Sequence, residues 1–457
     1  MTRSARWLAL LVAGAFFMEI LDATVIAPAA PHIAVDLGVT AVSINVAITA
    51  YVLTLAVLIP ASGWLTERFG ARRVFTLAVA VFTLASAGCA AATSLPMLVA
   101  TRVVQGIGGA MMVPVGRLVV IRTTAKTDLV RAIAYLTWPA LVAPLVAPAL
   151  GGVLSTYASW RWIFLVNVPL GLIALPLARR LVPDVRADDP GRLDVPGFLF
   201  AACGIAALVF GLEGVAAERP EWPLAGGALA FAALALAGTV VHLRRAEKPL
   251  VDLSILAVRT YRVTALGGSV FRAVITAIPF LLPLFFQLGF GWSAAHAGLV
   301  VIALFAGNIG IKPVTTPLMR RFGMRAVMLG AVLASAACLV GIAMLEPATP
   351  LPLLLGLLAL SGIFRSIGFT TYNTVAFADV PPPRMTSANT LMSTVQELGG
   401  GLGVAVGALL VRLGAGVGDT AYRFAFVVLG LLLAVPAVEA FLLPRTAGNV
   451  VACRPDA

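Results

Sequence analysis

Gly63-Trp64-Leu65-Thr66-Glu67-Arg68-Phe69-Gly70-Ala71-Arg72-Arg73 is the stretch whose reading decides the fold. Apolar runs lead into it (43–64) and away from it (75–94), and each is long enough to cross a bilayer, which takes about 20 apolar residues. A short basic turn between two such runs is a loop at a membrane surface. Gly70 suits a tight turn, and Gly63 lets one helix approach another closely. The pattern returns as Arg321-Phe322-Gly323-Met324-Arg325, so R-F-G-x-R recurs at an offset of 253 residues. Such a repeat marks two related halves, with a binding site expected between them near mid-membrane.

The rest of the 457 residues agree with a membrane reading. The chain is 60% hydrophobic and only 11% charged, where a soluble domain carries about a quarter charged residues. Fourteen apolar runs are expected to span: 7–29, 43–64, 75–94, 98–121, 132–155, 163–181, 195–215, 223–243, 264–285, 297–317, 327–345, 352–372, 387–411 and 421–443. The run after Met1–Arg6 shows no convincing cleavage site and is read as a retained first span. Of the 32 Lys and Arg, 23 fall on the side of both termini and four on the other, so both termini are expected to be cytoplasmic. With 195–243 set aside as two inserted linker spans, 7–181 and 264–443 become two six-helix bundles, followed by a cytoplasmic tail, 444–457. This is an all-α integral membrane fold.

Several functions are excluded at this level. The net charge of +12 sits in short breaks between apolar runs, with no basic face interleaved with aromatics, so no nucleic-acid partner is expected. Cys89, Cys203, Cys338 and Cys453 lie far apart and imply neither a disulfide framework nor a metal site. His32 and His296 fall in outer loops and His242 at a span end, with no ligand spacing, so no metal and no catalytic cluster are expected.

The loop stretch resembles the major facilitator superfamily signature G-x-L-x-D-R-x-G-R-R, with Glu67 where that family usually has Asp. Further segments resemble its fourteen-span drug:proton antiporter family: Leu21-Asp22-Ala23-Thr24-Val25-Ile26 with Pro31 in span 1, where Ala27 replaces the usual Asn; Arg102-Val103-Val104-Gln105-Gly106 in span 4; Pro148-Ala149-Leu150-Gly151-Gly152 in span 5; and Trp160-Arg161-Trp162-Ile163-Phe164-Leu165-Val166-Asn167-Val168-Pro169. Pro279-Phe280 through Gln287, then Gly291 and Ala297-Gly298, is similar to its span-9 to span-10 pattern. Ala61-Ser62-Gly63-Trp64 and the run from Gly109 to Arg117 are similar to a multidrug-transporter subgroup of that family. The resemblance implies the major facilitator fold and proton-driven export by alternating access. It implies a small-molecule substrate and protons as partners, no cofactor, a monomer, and the cell (inner or plasma) membrane as the location. The gating residues it implies are Gly63, Glu67, Arg68, Gly70, Arg72, Pro148, Gly151 and Gly152.

Charges inside spans are costly unless paired or wet, so each is a functional suspect. Glu19 and Asp22 share a face of span 1, and Arg102 of span 4 lies at a depth matching Asp22, with Gln105 one turn deeper. The expected proton-coupling set is Asp22, Glu19, Arg102 and Glu397. In a static reading, Asp22 and Arg102 simply hold spans 1 and 4 together. Glu67 is expected against the amino end of span 13, near Thr386 to Asn389. Glu397 and Arg272 lie near mid-membrane, while Lys312 and Arg365 are close enough to the cytoplasmic face to snorkel. Glu213 and Glu439 read as interfacial. The substrate-cavity candidates are Gln105, Arg272, Trp138 and Arg365, and Phe16, Phe17, Phe271 and Phe286 are further aromatics able to line an apolar cavity. The leading expectation is an exporter of amphipathic toxic compounds. The alternative is an exporter of one specific endogenous metabolite, with anions among the candidates; a membrane-embedded enzyme lacks a visible catalytic cluster.

Overall fold

The computed structural model describes residues 3–39, 41–125, 128–184, 186, 191–216, 221–247, 249–414, 420–444 and 447, with a few helical side chains, Trp138, Pro148 and Glu213 among them, outside the description. Every regular element among the described residues is helical. The first half comprises α1 (Arg3–Leu37), α2 (Asn45–Leu58), α3 (Ser62–Phe69), α4 (Ala71–Ala90), α5 (Leu95–Thr123), α6 (Leu129–Tyr157), α7 (Trp162–Leu165) and α8 (Asn167–Leu181). A hairpin follows, α9 (Val195–Ala216) and α10 (Trp222–Arg245). The second half comprises α11 (Arg259–Leu284), α12 (Ala294–Gly310), α13 (Lys312–Phe322), α14 (Met324–Ala343), α15 (Leu351–Ala378), α16 (Met385–Gly414), α17 (Ala421–Leu432) and α18 (Ala434–Leu442).

Twelve helical stretches among the described residues are long and apolar enough to cross a membrane, or 13 when α12 and α13, bent by 50°, are taken as one. Periodicity reads some spans as continuous that the structure breaks. A 3₁₀ turn carrying Pro60 separates α2 from α3, and α12 ends where Pro313 follows Lys312 at the start of α13. Proline lacks the N–H that would carry the helix ladder through, so both breaks have a local cause. In the other direction, α1 runs on to Leu37 through Pro28 and Pro31.

The repeat in the sequence is a repeat in space. Gly70 and Gly323 each sit between two helices with φ of 87° and 83°, a backbone that side chains other than glycine rarely adopt. Helix pairing repeats with them. In the first half α1 packs on α6, α2 on α5, α4 on α5 and α4 on α8. In the second half α11 packs on α16, α12 on α15, α14 on α15 and α14 on α17. The apolar cores follow the same division, two within α1–α8 and one mostly within α11–α18 that also takes in Leu118, Ile121, Leu129 and Ile133. The halves meet along α5 with α16 and along α6 with α12 and α15, while α9 packs on both α2 and α16.

Candidate transport site

Inside the first half, five helices converge on one carboxylate. Asp22 of α1 accepts from Arg102 Nη1 on one oxygen, and from Gln105 Nε2 (2.8 Å) and Asn167 Nδ2 (3.0 Å) on the other. Arg102 also donates to Gln105 Oε1 (2.7 Å) and the Ala47 carbonyl (3.4 Å), and its guanidinium lies 4.0 Å from the Tyr51 ring centre. Gln105 reaches on to Ser86 Oγ at 2.8 Å. Asp22, Arg102 and Gln105 are all fully buried. The matched depths of Asp22 and Arg102 therefore bring them together as expected from the sequence. Gln105 corrects that reading: it does not line the cavity between the halves, because its face of α5 turns to α1 and α4 within the first half.

A second cluster lies on the seam between the halves. A small cavity of about 120 Å³ is lined by Glu19, Arg117 and Thr137 from the first half and by Arg272, Gln396 and Glu397 from the second. Arg117 donates across the seam to Gln396 Oε1 (2.9 Å) and Asn373 Oδ1 (3.1 Å), and Gln396 Nε2 also donates to Asn373 Oδ1 (2.8 Å). Glu19 Oε2, Arg272 Nε and Ser393 Oγ are buried there without a protein partner. The volume admits several waters but is well below the roughly 300–1,000 Å³ of a drug-sized pocket, so this conformer is closed around its centre. Arg272, Glu19 and Glu397 thus meet where sequence depth put them. Arg117, Asn373 and Gln396 were missed, although an arginine inside the span 98–121 was signal enough to single out Arg117.

Next to this cavity the two halves are latched. Asn389 Nδ2 donates to the Pro114 carbonyl at 2.9 Å, and Arg122 Nη2 bonds Thr386 Oγ1. Gly63 is so close to α16 that a Cβ there would lie 2.4 Å from Thr390 Oγ1. Glu67 stands near the start of α16 beside Thr386, as expected, but its ionic partner is Arg122 at 3.8 Å. Arg122 in turn bonds Thr386, so this arginine lies between Glu67 and the start of α16. Arg72 Nε donates to the Val182 carbonyl at 2.7 Å, tying the turn to the end of α8, and Arg68 is exposed. In α6, Gly151 is pressed against the Val25 carbonyl, where a Cβ would come within 2.6 Å. Gly152, by contrast, faces open space: a Cβ there would meet nothing within 4 Å.

Other expectations are revised. Lys312 does not snorkel. It is 7% exposed, and Nζ donates to Thr370 Oγ1 (2.7 Å) and Thr137 Oγ1 (3.1 Å) because the α12–α13 bend turns it toward the seam. Arg365 is half-buried, has Nη1 without a partner, and is not among the residues lining the central cavity. Phe16 lines that cavity, whereas Phe271 and Phe286 are buried in the core of the second half. His242 pairs with Asp194 at 2.8 Å, a contact hidden by 48 residues of separation. Burial pushes the Asp194 carboxyl up, but the Gly197 N–H, His242 and the Leu250 N–H outweigh it and hold it below the usual range. The side chains of Trp138, Pro148 and Glu213, and nearly all of 444–457, lie outside the described residues.

Comparison with known proteins identifies this architecture. The Major Facilitator Superfamily model matches residues 12–404 and 264–455. A protein of Serratia proteamaculans provisionally named multidrug resistance protein MdtD is 37% identical over 97% of this chain and 94% of its own length. Its namesake in Cronobacter sakazakii is 37% identical over 95% and 94%. Among solved structures, the human organic anion transporter MFSD10 (TETRAN) superposes with a TM-score of 0.68 at 15% identity, covering 96% of this chain and all of that one. The proton:xylose symporter XylE superposes with a TM-score of 0.66, also at 15% identity, over 97% of each. With its repeated halves, seam cavity and latch turn, the chain belongs to the Major Facilitator Superfamily and is a multi-pass membrane transporter, not an enzyme.

Proposed function

We propose that the protein is a proton-coupled exporter of amphipathic compounds that works by alternating access in the cell's inner membrane. It does so as a monomer with 14 crossings and both termini cytoplasmic. The 29-residue α6 supplies the crossing beyond those whose length and apolarity already qualify. Segments 7–181 and 264–443 are the rocking bundles and 195–243 an insertion. The relatives' name supports multidrug cargo. The observation that carries the coupling is that Glu19 and Glu397, from opposite halves, line one cavity on the seam.

In this reading Glu19 and Glu397 take up or lose protons when the seam opens. Asp22, one helical turn from Glu19, joins them when α1 and α5 shift against each other within the first bundle and part it from Arg102, since that changes what stabilises its charge. Gly63, Glu67, Gly70, Arg72 and Gly151 set the geometry of closure; of the other residues expected to gate, Arg68 is exposed, Gly152 is in open space and the Pro148 side chain lies outside the described residues. Proteoliposomes with an imposed pH gradient, loaded with a panel of cationic, neutral and anionic dyes, test this. Uphill efflux is expected in the wild type and is expected to be lost in Asp22→Asn and in Glu19→Gln. If the double variant still drives uphill export, neither of these carboxyls carries the proton and Glu397 becomes the candidate, tested by Glu397→Gln. Arg272, with an unpartnered Nε at the cavity, favours a second reading, export of an anionic metabolite; export of the anionic dye alone would select it.

A further inference from the structure

On the flank of the seam where α13 faces α1, α6 and α8, a cleft of about 1080 Å³ opens outward. Its walls are apolar, with Leu10, Gly14 and Phe17 on one side, Ile173 and Leu177 on another, and Pro317 opposite. Its charged lining residues are all basic: Arg131 and Arg320, both exposed, and Lys312, buried at the far end. The volume matches the upper range of drug-sized pockets, roughly 300–1,000 Å³. An ammonium has three N–H donors, and Lys312 gives two of them to hydroxyls, with no carboxylate partner among the described residues. A buried cation held only by hydroxyls is poorly compensated. Thr137, one of those hydroxyls, also lines the central cavity. The Lys312–Thr137 bond is therefore part of the wall between cleft and cavity.

We propose that this cleft is a binding site for a drug-sized, single-headed anionic amphiphile arriving from the membrane. Its apolar body lies between α1, α8 and α13 and its anion sits on Lys312. Binding trades the Thr137 bond for the anion and so loosens that wall toward the central cavity. This deepens the export reading and rests on it for direction, but the site can be tested without transport.

The full chain in nanodiscs is photolabelled with a diazirine derivative of dodecanoate, with dodecyltrimethylammonium and dodecanol as competitors. The carboxylate is expected to label α1, α8 and α13 peptides saturably and to resist both competitors. Lys312→Gln removes a charged hydrogen bond and should weaken labelling about tenfold or more, while Lys312→Arg retains it. Gly14→Trp is the second probe. Gly14 lines the cleft and a Cβ there meets nothing within 4 Å, so the side chain has open space to leave the backbone into the cleft, and labelling should be lost even if the Lys312 variants fail to fold. Equal competition by the cation would overturn the proposal, as would undiminished labelling in Gly14→Trp. So would a diacyl phospholipid that native mass spectrometry finds in the cleft and dodecanoate cannot displace. Because no gradient is used, loss of binding with intact pH-driven efflux refutes only this site, and binding without efflux refutes only the coupling.

Discussion

Gly63→Ala should open the latch side of the molecule. The added Cβ would lie 2.4 Å from Thr390 Oγ1 and 3.2 Å from Thr386 Cγ2, both on α16. That contact exists only while the halves are closed on this side, so the overpacking cost, about 1–3 kcal/mol, falls on the closed conformer alone. The helix-propensity gain of alanine over glycine, about 1 kcal/mol, applies to both conformers and cancels. A bias of that size shifts the population toward the conformer open at the latch by about 5- to 150-fold. Ser393 lines the central cavity and is the reporter. In a background with the four native cysteines replaced, Ser393→Cys in inverted vesicles should react with an impermeant maleimide faster by that factor when Gly63→Ala is present. Thr390→Ala removes the nearest atom and should restore most of the slow rate, leaving the milder contact with Thr386. An unchanged rate in Gly63→Ala, or no restoration in the double variant, would falsify the close-approach argument.

Arg102→Met strands a buried carboxylate and should destabilise the solubilised protein by about 3–5 kcal/mol, while adding Asp22→Asn should recover more than half of that; simple additivity in a thermal unfolding series rules out the clamp. Glu67→Gln breaks only a partly exposed 3.8 Å pair worth about 1 kcal/mol or less, so it should speed Ser393→Cys labelling less than Gly63→Ala does; a larger effect would mean Glu67 acts directly on α16. On the opposite side, the Arg161 hydrogen bond, aided by Trp160, holds the exposed Asp36 carboxyl below the usual carboxylate range. A depressed carboxylate lends stability that is present above its unfolded value, about pH 4, and lost as pH falls through the lower folded value. Asp36→Asn should then destabilise the protein slightly at about pH 7, by no more than about 1 kcal/mol for so exposed a pair, seen as a small fall in Tm, and converge on the wild type in strong acid; a constant offset across that range would refute it.

The latch turn was legible because its chemistry is local: a positive φ needs glycine, and both copies of R-F-G-x-R have it. The Asp22–Arg102 pair was legible because helix rise converts residue count to depth, and depth sufficed to match them. Rotation about the helix axis was not legible. These helices are apolar nearly all round, so no polar stripe says which way α5 turns, and Gln105 was assigned to the wrong surface. Lys312 was misread for a different reason: its two hydroxyls come from residues 175 and 58 positions away, and the bend that aims it at them depends on how α12 and α13 meet.

The position of α9 makes the two flanks of the molecule unequal. It lies on α2 of one half and α16 of the other, and Arg412 Nη1 ties α16 to the Val215 carbonyl of α9 at 2.6 Å. That flank of the seam is bound like the spine of a book, and the flank with the cleft is its unbound edge. Pages held at the spine part first at the free edge. Lipid acyl chains would therefore reach the seam more directly on the cleft flank, and bilayer thickness or stiffness would bear unequally on the cycle from the two flanks.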